Sequence, residues 1–167
     1  YYKFGNTVNE SSPPMIGYGV SDPKNMKSHS DADTAIVASD LESNISALLR
    51  LKQHKYRISL FTNGDDDSHL QKLVSAIERS QPELRSWIQI CPKPTRPNQL
   101  VETIASFDLV VAHRLHANIL AFALNVPSIG LGWDRKLSSF MVAAERERYL
   151  IQTDEDFERL PKMVEMA

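Results

Sequence analysis

The chain has 167 residues, of which 42% are hydrophobic and 24% charged, the ordinary make-up of a globular domain long enough for one core and too short for two. A formal charge of −2 and a pI near 6.2 give no broad attraction to nucleic acid or anionic lipid, so any cationic site has to be local. Cys91 is the single cysteine, which excludes an internal disulfide framework and a multi-cysteine zinc site and fits a reducing cytoplasm.

Residues 1–14 are polar, Pro-ended and without periodicity, so they are expected to form a loose leader to a single domain over residues 15–167. Met15 to Val20 is an apolar run bounded by Gly and Pro signals and predicts a strand. Ser21 to Ser30 reads as a loop, followed by a helix capped at Asp31 or Asp33 and running to about Lys52, with Ile36, Val37, Leu41, Ile45, Leu48 and Leu49 at helical spacing. Tyr56 to Thr62 is strand-like and Asn63-Gly64 is a turn. The Asp65-Asp66-Asp67 run is expected to cap the helix carrying Leu70, Leu73, Val74 and Ile77. Trp87–Cys91, Phe107–Ala112 and Ser128–Leu131 predict further strands. Helices are expected over Pro97–Ser106, Leu115–Leu124 and about Lys136–Ala144, then a short strand near Tyr149–Ile151 and a last helix from about Asp154. No stretch reaches the roughly 20 apolar residues of a membrane span.

Strand and helix alternate five or six times, and the strands are apolar on both faces. That pattern predicts an α/β fold, doubly wound, with a mostly parallel sheet and helices on both faces. Ligands of such sheets sit outside the carboxyl ends of the strands, where strand order reverses. Two cationic clusters are expected on that edge: His113-Arg114-Leu115-His116 where the fourth strand hands over to its helix, and Gly132-Trp133-Asp134-Arg135-Lys136 after the fifth.

The first turn of a helix has unpaired N–H groups and the positive end of the macrodipole, so it favours an anion. Arg114 adds a planar fork of donors there. Both features oppose a proton on His116, but a bound anion reverses that balance and makes the imidazole a plausible proton donor. Asn118 lies four residues on from Arg114, on the same helical face, placed to orient the arginine or a ligand. The competing reading pairs Arg114 with an acidic side chain, makes His116 and Asn118 structural, and packs Trp133 on its own domain. Other features fall away. Gly17-Tyr18-Gly19 lacks the third glycine of a dinucleotide fingerprint, with Asp22 in its place, and no Gly-Lys-Ser/Thr phosphate loop occurs. His113 and His116 have a spacing open to metal ligation, yet no further ligands complete a shell, so no metal is expected.

The linked segments Phe107-Asp108-Leu109-Val110-Val111, Arg114-Leu115-His116, Ala121-Phe122-Ala123-Leu124-Asn125-Val126-Pro127, Trp133-Asp134-Arg135-Lys136 and Phe140 together resemble the polysaccharide pyruvyl transferase family. Asn125 stands where a glycine is commoner, a change that a left-handed helix cap tolerates. The likeness is strongest over Leu100 to Phe140; earlier residues agree in architecture only.

The resemblance implies a two-domain, glycosyltransferase-B-like protein with its active site in the cleft between two Rossmann-like halves. The sequence opens on Tyr1 rather than Met, as expected of a piece of a longer protein, and the resemblance implies that this piece is the C-terminal half, with an N-terminal half of the same protein as partner. The implied reaction transfers a pyruvyl unit from phosphoenolpyruvate to a saccharide or lipid-linked saccharide acceptor and forms a cyclic ketal in surface-glycan synthesis. No separate cofactor and no nucleic acid takes part. The implied roles are anion binding for Arg114, acid or donor binding for His116, a further anion contact for Lys136 and a pocket wall for Trp133. The expected location is cytoplasmic, extending to the inner face of the membrane. Two other readings stand beside this one: the donor-binding half of a nucleotide-sugar glycosyltransferase, and a non-catalytic ligand-binding module.

Overall fold

The computed structural model describes residues 13–27, 37, 40–153 and 156–167. Among the described residues six strands form one sheet in which every pairing is parallel. They are β1 (Met15–Gly19), β2 (Arg57–Phe61), β3 (Ile88–Ile90), β4 (Leu109–Ala112), β5 (Ser128–Leu131) and β6 (Leu150–Ile151). The order across the sheet is β3-β2-β1-β4-β5-β6. The chain winds outward from β1 to β3, returns to the other side of β1, and winds outward again. The carboxyl ends of β1 and β4, at Gly19 and Ala112, therefore flank the reversal.

Alternation along the strands divides the core. Ile16, Tyr18, Ile58, Leu60, Leu109, Val111, Ile129 and Leu131 face α2 (Leu41–Gln53), α3 (Asp67–Ser80), α7 (Arg135–Ala143) and α8 (Leu160–Met166). Phe61, Val110 and Ala112 face α5 (Pro97–Ala105) and α6 (Leu115–Ala123) on the other side. Burial on both faces is why β4 and β5 are continuous apolar runs. The backbone of β1 lies against the Phe107 ring: a Cβ at Gly17 would stand 2.1 Å from it, so only glycine fits. Asn125 takes the expected left-handed conformation, with φ 56°. The Val126 N–H donates to the Ala121 carbonyl and the Asn125 N–H to that of Phe122, the paired bonds of a Schellman motif that ends α6.

Three sequence expectations are corrected, and one short helix is found where the sequence signalled no element. The loop expected over Ser21–Ser30 contains a short helix, α1 (Pro23–Lys27), which starts on a proline and buries Met26. The helix expected from Asp31 or Asp33 begins at Leu41, where the Asp40 side chain accepts from the Ser43 N–H; positions 31, 33 and 36 lie outside the described residues. A further short helix, α4 (Pro82–Arg85), precedes β3. Asp66 occupies the cap position of α3 without capping it, because its carboxylate is drawn to a guanidinium instead. The leader expected over residues 1–14 falls almost wholly outside the described residues, as does the Asp154 start of the last helix. Among the described residues no helix is long and apolar enough to cross a membrane.

Candidate functional site

The turn between β4 and α6 is built by local hydrogen bonds. Asn118, fully buried in α6, donates its Nδ2 to the carbonyls of Ala112 and Arg114, both at 3.1 Å. That fixes Arg114 in extended geometry at the cap position and points the first turn of α6 at the carboxyl edge. Asn118 thus holds the turn, while its Oδ1 is buried without a partner among the described residues.

His113 turns inward. Its Nε2 donates to the Val37 carbonyl at 2.6 Å, and its Nδ1 is buried with no donor among the described residues. Burial pushes its pKa down to about 4, a shift that the Val37 bond opposes, so the ring is neutral at pH 7. The His113 carbonyl accepts from Trp133 Nε1 at 2.7 Å, and the Val37 N–H donates to the Gly132 carbonyl. Trp133 is buried and packs within its own domain, where it ties the β5 turn to the β4 turn.

Arg114 does not present a free fork. Its Nε and Nη2 grip both oxygens of Asp66, at 3.1 Å and at 2.7–2.8 Å. Asp66 is fully buried and also accepts from the Asp22 N–H at 2.9 Å and the Asn25 amide at 3.3 Å. One carboxylate therefore joins the turns after β1, β2 and β4. Arg114 Nη1 makes no hydrogen bond among the described residues. Further buried polar atoms without partners among the described residues sit on elements that converge here: Ser21 Oγ after β1 and His69 Nε2 in the first turn of α3. Burial lowers the pKa of His69 against the opposing pull of Asp22.

His116 and Lys136 are exposed on the first turns of α6 and α7, and neither has a partner among the described residues. Asp134 caps α7 by accepting from the Leu137 N–H at 2.8 Å. The structure thus gathers Arg114, Asn118 and Trp133 into one hydrogen-bonded turn system and leaves His116 and Lys136 as side chains open to solvent. His113 and His116 point to different surroundings, one buried and one exposed. No group of three His, Cys, Asp or Glu side chains converges among the described residues.

Sequence reasoning missed Asp66 as the partner of Arg114. The available signal was the excess of three consecutive acids where one cap suffices, on the same edge as an apolar-flanked arginine. A model of the polysaccharide pyruvyl transferase family matches residues 9–135, reaching well upstream of the segment from Leu100 that carries the motif and ending just before Lys136. No curated protein matches the chain. The match spans more than half of the sequence and includes β1 through β5 with the Arg114-Leu115-His116 turn, so the chain belongs to the polysaccharide pyruvyl transferase family, a family of transferases.

Proposed function

We propose that this domain forms the donor-holding side of an enzyme that transfers a pyruvyl unit from phosphoenolpyruvate to two hydroxyls of a saccharide. The observation that carries the reading is an exposed imidazole and a guanidinium together at the start of α6, on the carboxyl edge beside the strand-order reversal, in a chain of this family. Phosphoenolpyruvate is a compact anion bearing a carboxylate and a phosphate, and its reaction develops positive charge at the central carbon once the methylene carbon takes a proton. One acceptor hydroxyl then adds to that carbon and phosphate leaves. The second hydroxyl closes the ketal. Of the two hydroxyl protons, one balances the proton delivered to the methylene and the other departs with phosphate.

In this reading His116 delivers the proton. The N-terminus of α6 and Arg114 Nη1 hold one anionic group, and Lys136 meets the other. Because Asp66 already engages Nε and Nη2, Arg114 acts chiefly as a fixed donor of the remaining N–H groups rather than as a mobile clamp. The opposite wall of the cleft comes from an N-terminal half of the same protein. Calorimetric titration of the full-length protein with phosphoenolpyruvate and with UDP tests the proposal. Binding of phosphoenolpyruvate alone supports it; binding of UDP alone transfers the site to nucleotide-sugar chemistry, and silence with both favours a non-catalytic module. Phosphate release by residues 1–167 in isolation contradicts the half-enzyme arrangement.

A further inference from the structure

Beyond the β4 turn, a groove of about 300 Å³ opens at the carboxyl ends of β2 and β3, lined by Asn63-Gly64-Asp65 from the one turn and by Lys93 to Pro97 from the other, together with Leu100. Both turns are held before any ligand arrives. Gln99 Oε1 accepts from the Thr95 N–H at 2.7 Å, the Thr95 hydroxyl at 3.0 Å and the Arg96 N–H at 3.2 Å, and Pro94 and Pro97 restrict the same turn. In the turn after β2 the Asp65 carbonyl accepts from Asn25 at 3.0 Å, and the neighbouring Asp66 is clamped by Arg114.

The charges decide what fits. Lys93 is engaged by Asp67 and lies 3.8 Å from Asp65, so its ammonium is already compensated. Counting outward, Asp65, Asp66 and Asp67 balance Lys93, Arg96 and Arg114. A dianion gains little in such a balanced field. An uncharged polyol gains more: Asp65 only accepts, Arg96 only donates, and Asn63 does both, while a hydroxyl serves as donor and acceptor at once. Pro94, Pro97 and Leu100 offer C–H surface for the face of a ring. The volume sits at the small end of ligand pockets and suits a single pyranose unit.

The groove also adjoins the proposed donor site. A Cβ at Gly64 would lie 3.4 Å from Arg114 Nη2 and 3.3 Å from Asp66 Oδ2, so Gly64, which lines the groove, packs directly against the guanidinium. We propose that the groove between Asn63–Asp65 and Lys93–Pro97 is a saccharide subsite that delivers the acceptor's hydroxyls to the Arg114 edge. Its role as acceptor subsite rests on the pyruvyl transfer reading; its binding of a neutral sugar does not. Acceptor recognition is then shared by this domain.

The test is amide chemical-shift mapping of the 15N-labelled chain with the methyl glycosides of glucose, galactose and mannose at high millimolar concentration, and separately with inorganic phosphate and phosphoenolpyruvate. At least one glycoside is expected to shift Gly64, Asp65, Thr95 and Arg96. The exposed-residue substitutions Asp65→Ala and Arg96→Ala are each expected to weaken that binding by about tenfold, with spectra elsewhere unchanged. The subsite is overturned if no glycoside shifts these amides, if the shifts cluster elsewhere, if both variants bind as the parent does, or if phosphate rather than a glycoside occupies the groove. Phosphoenolpyruvate that fails to shift the start of α6 while a glycoside fills the groove removes the donor reading and leaves the sugar site standing. The reverse result removes the subsite alone.

Discussion

Asp66→Ala removes the carboxylate that the turns after β1, β2 and β4 share. Asp66 is fully buried and the Arg114 side chain is 20% exposed, so the substitution leaves a mostly enclosed guanidinium at the positive end of α6 with no counter-charge. Breaking a buried pair from one side costs about 3–5 kcal/mol. Partial access of Arg114 to water puts this site near the lower end, about 3 kcal/mol, a large share of the roughly 5–15 kcal/mol that holds a domain together. Asp66→Asn keeps an oxygen for the Asp22 N–H but turns an amide toward the guanidinium, and is expected to cost about 2 kcal/mol. Urea unfolding with an unchanged m-value measures both. The decisive comparison adds Arg114→Met and the Asp66→Ala/Arg114→Met double variant. With no orphaned charge left, the double variant is expected to be more stable than Asp66→Ala alone, with a coupling of at least about 1 kcal/mol. Strictly additive costs would refute the idea that these two side chains organise the edge as a pair.

His113 gives the fold a pH dependence of defined sign. Its folded pKa of about 4 lies below the ordinary 6.5, so the unfolded chain binds the extra proton; this contribution is complete above 6.5 and is lost as pH falls toward 4, amounting to about 3 kcal/mol. His113→Gln should flatten that part of the stability profile, and an unchanged slope between those pH values argues against the buried neutral ring. Gly17→Ala forces a methyl into the Phe107 ring and should lower stability by about 1–3 kcal/mol, with partial recovery in a Gly17→Ala/Phe107→Leu background; thermal melts that show no loss contradict the packing. For the proposed chemistry, His116→Ala should reduce turnover by about 10²–10⁴-fold with a smaller change in donor affinity, whereas Arg114→Ala should abolish donor binding. Steady-state kinetics of the enzyme with both halves present separates the two effects, and rates unchanged from the parent in both variants remove the assignment.

Much of the framework was legible because it is written in local signals. The strand Ser128–Leu131 was delimited exactly, and β2, β4, α5, α6 and α7 differ from expectation by no more than a few terminal residues. Period-two burial on two faces leaves a continuous apolar run, and helical periodicity interrupted by Pro or a cap leaves an amphipathic stripe; both can be read within a dozen residues. The short helices α1 and α4 escaped because four or five residues are too few to display a period. The Asp65-Asp66-Asp67 run misled for a related reason. Its position before a helix satisfies the capping pattern locally, and nothing nearby reveals that a guanidinium arrives from elsewhere.

By itself, then, the sequence determined the alternation of strands and helices, the doubly wound class, the left-handed turn at Asn125, and the presence of Arg114, His116 and Lys136 near strand ends. Tertiary structure alone decided what those groups face. Arg114 meets Asp66 across 48 positions and His113 meets Val37 across 76, because β4 returns to the side of β1 and brings its turn against those of β1 and β2. Hydrogen bonds and ion pairs act over a few ångströms of space whatever the distance along the chain. The same residue types are therefore a free cationic site or a closed structural pair depending only on strand order.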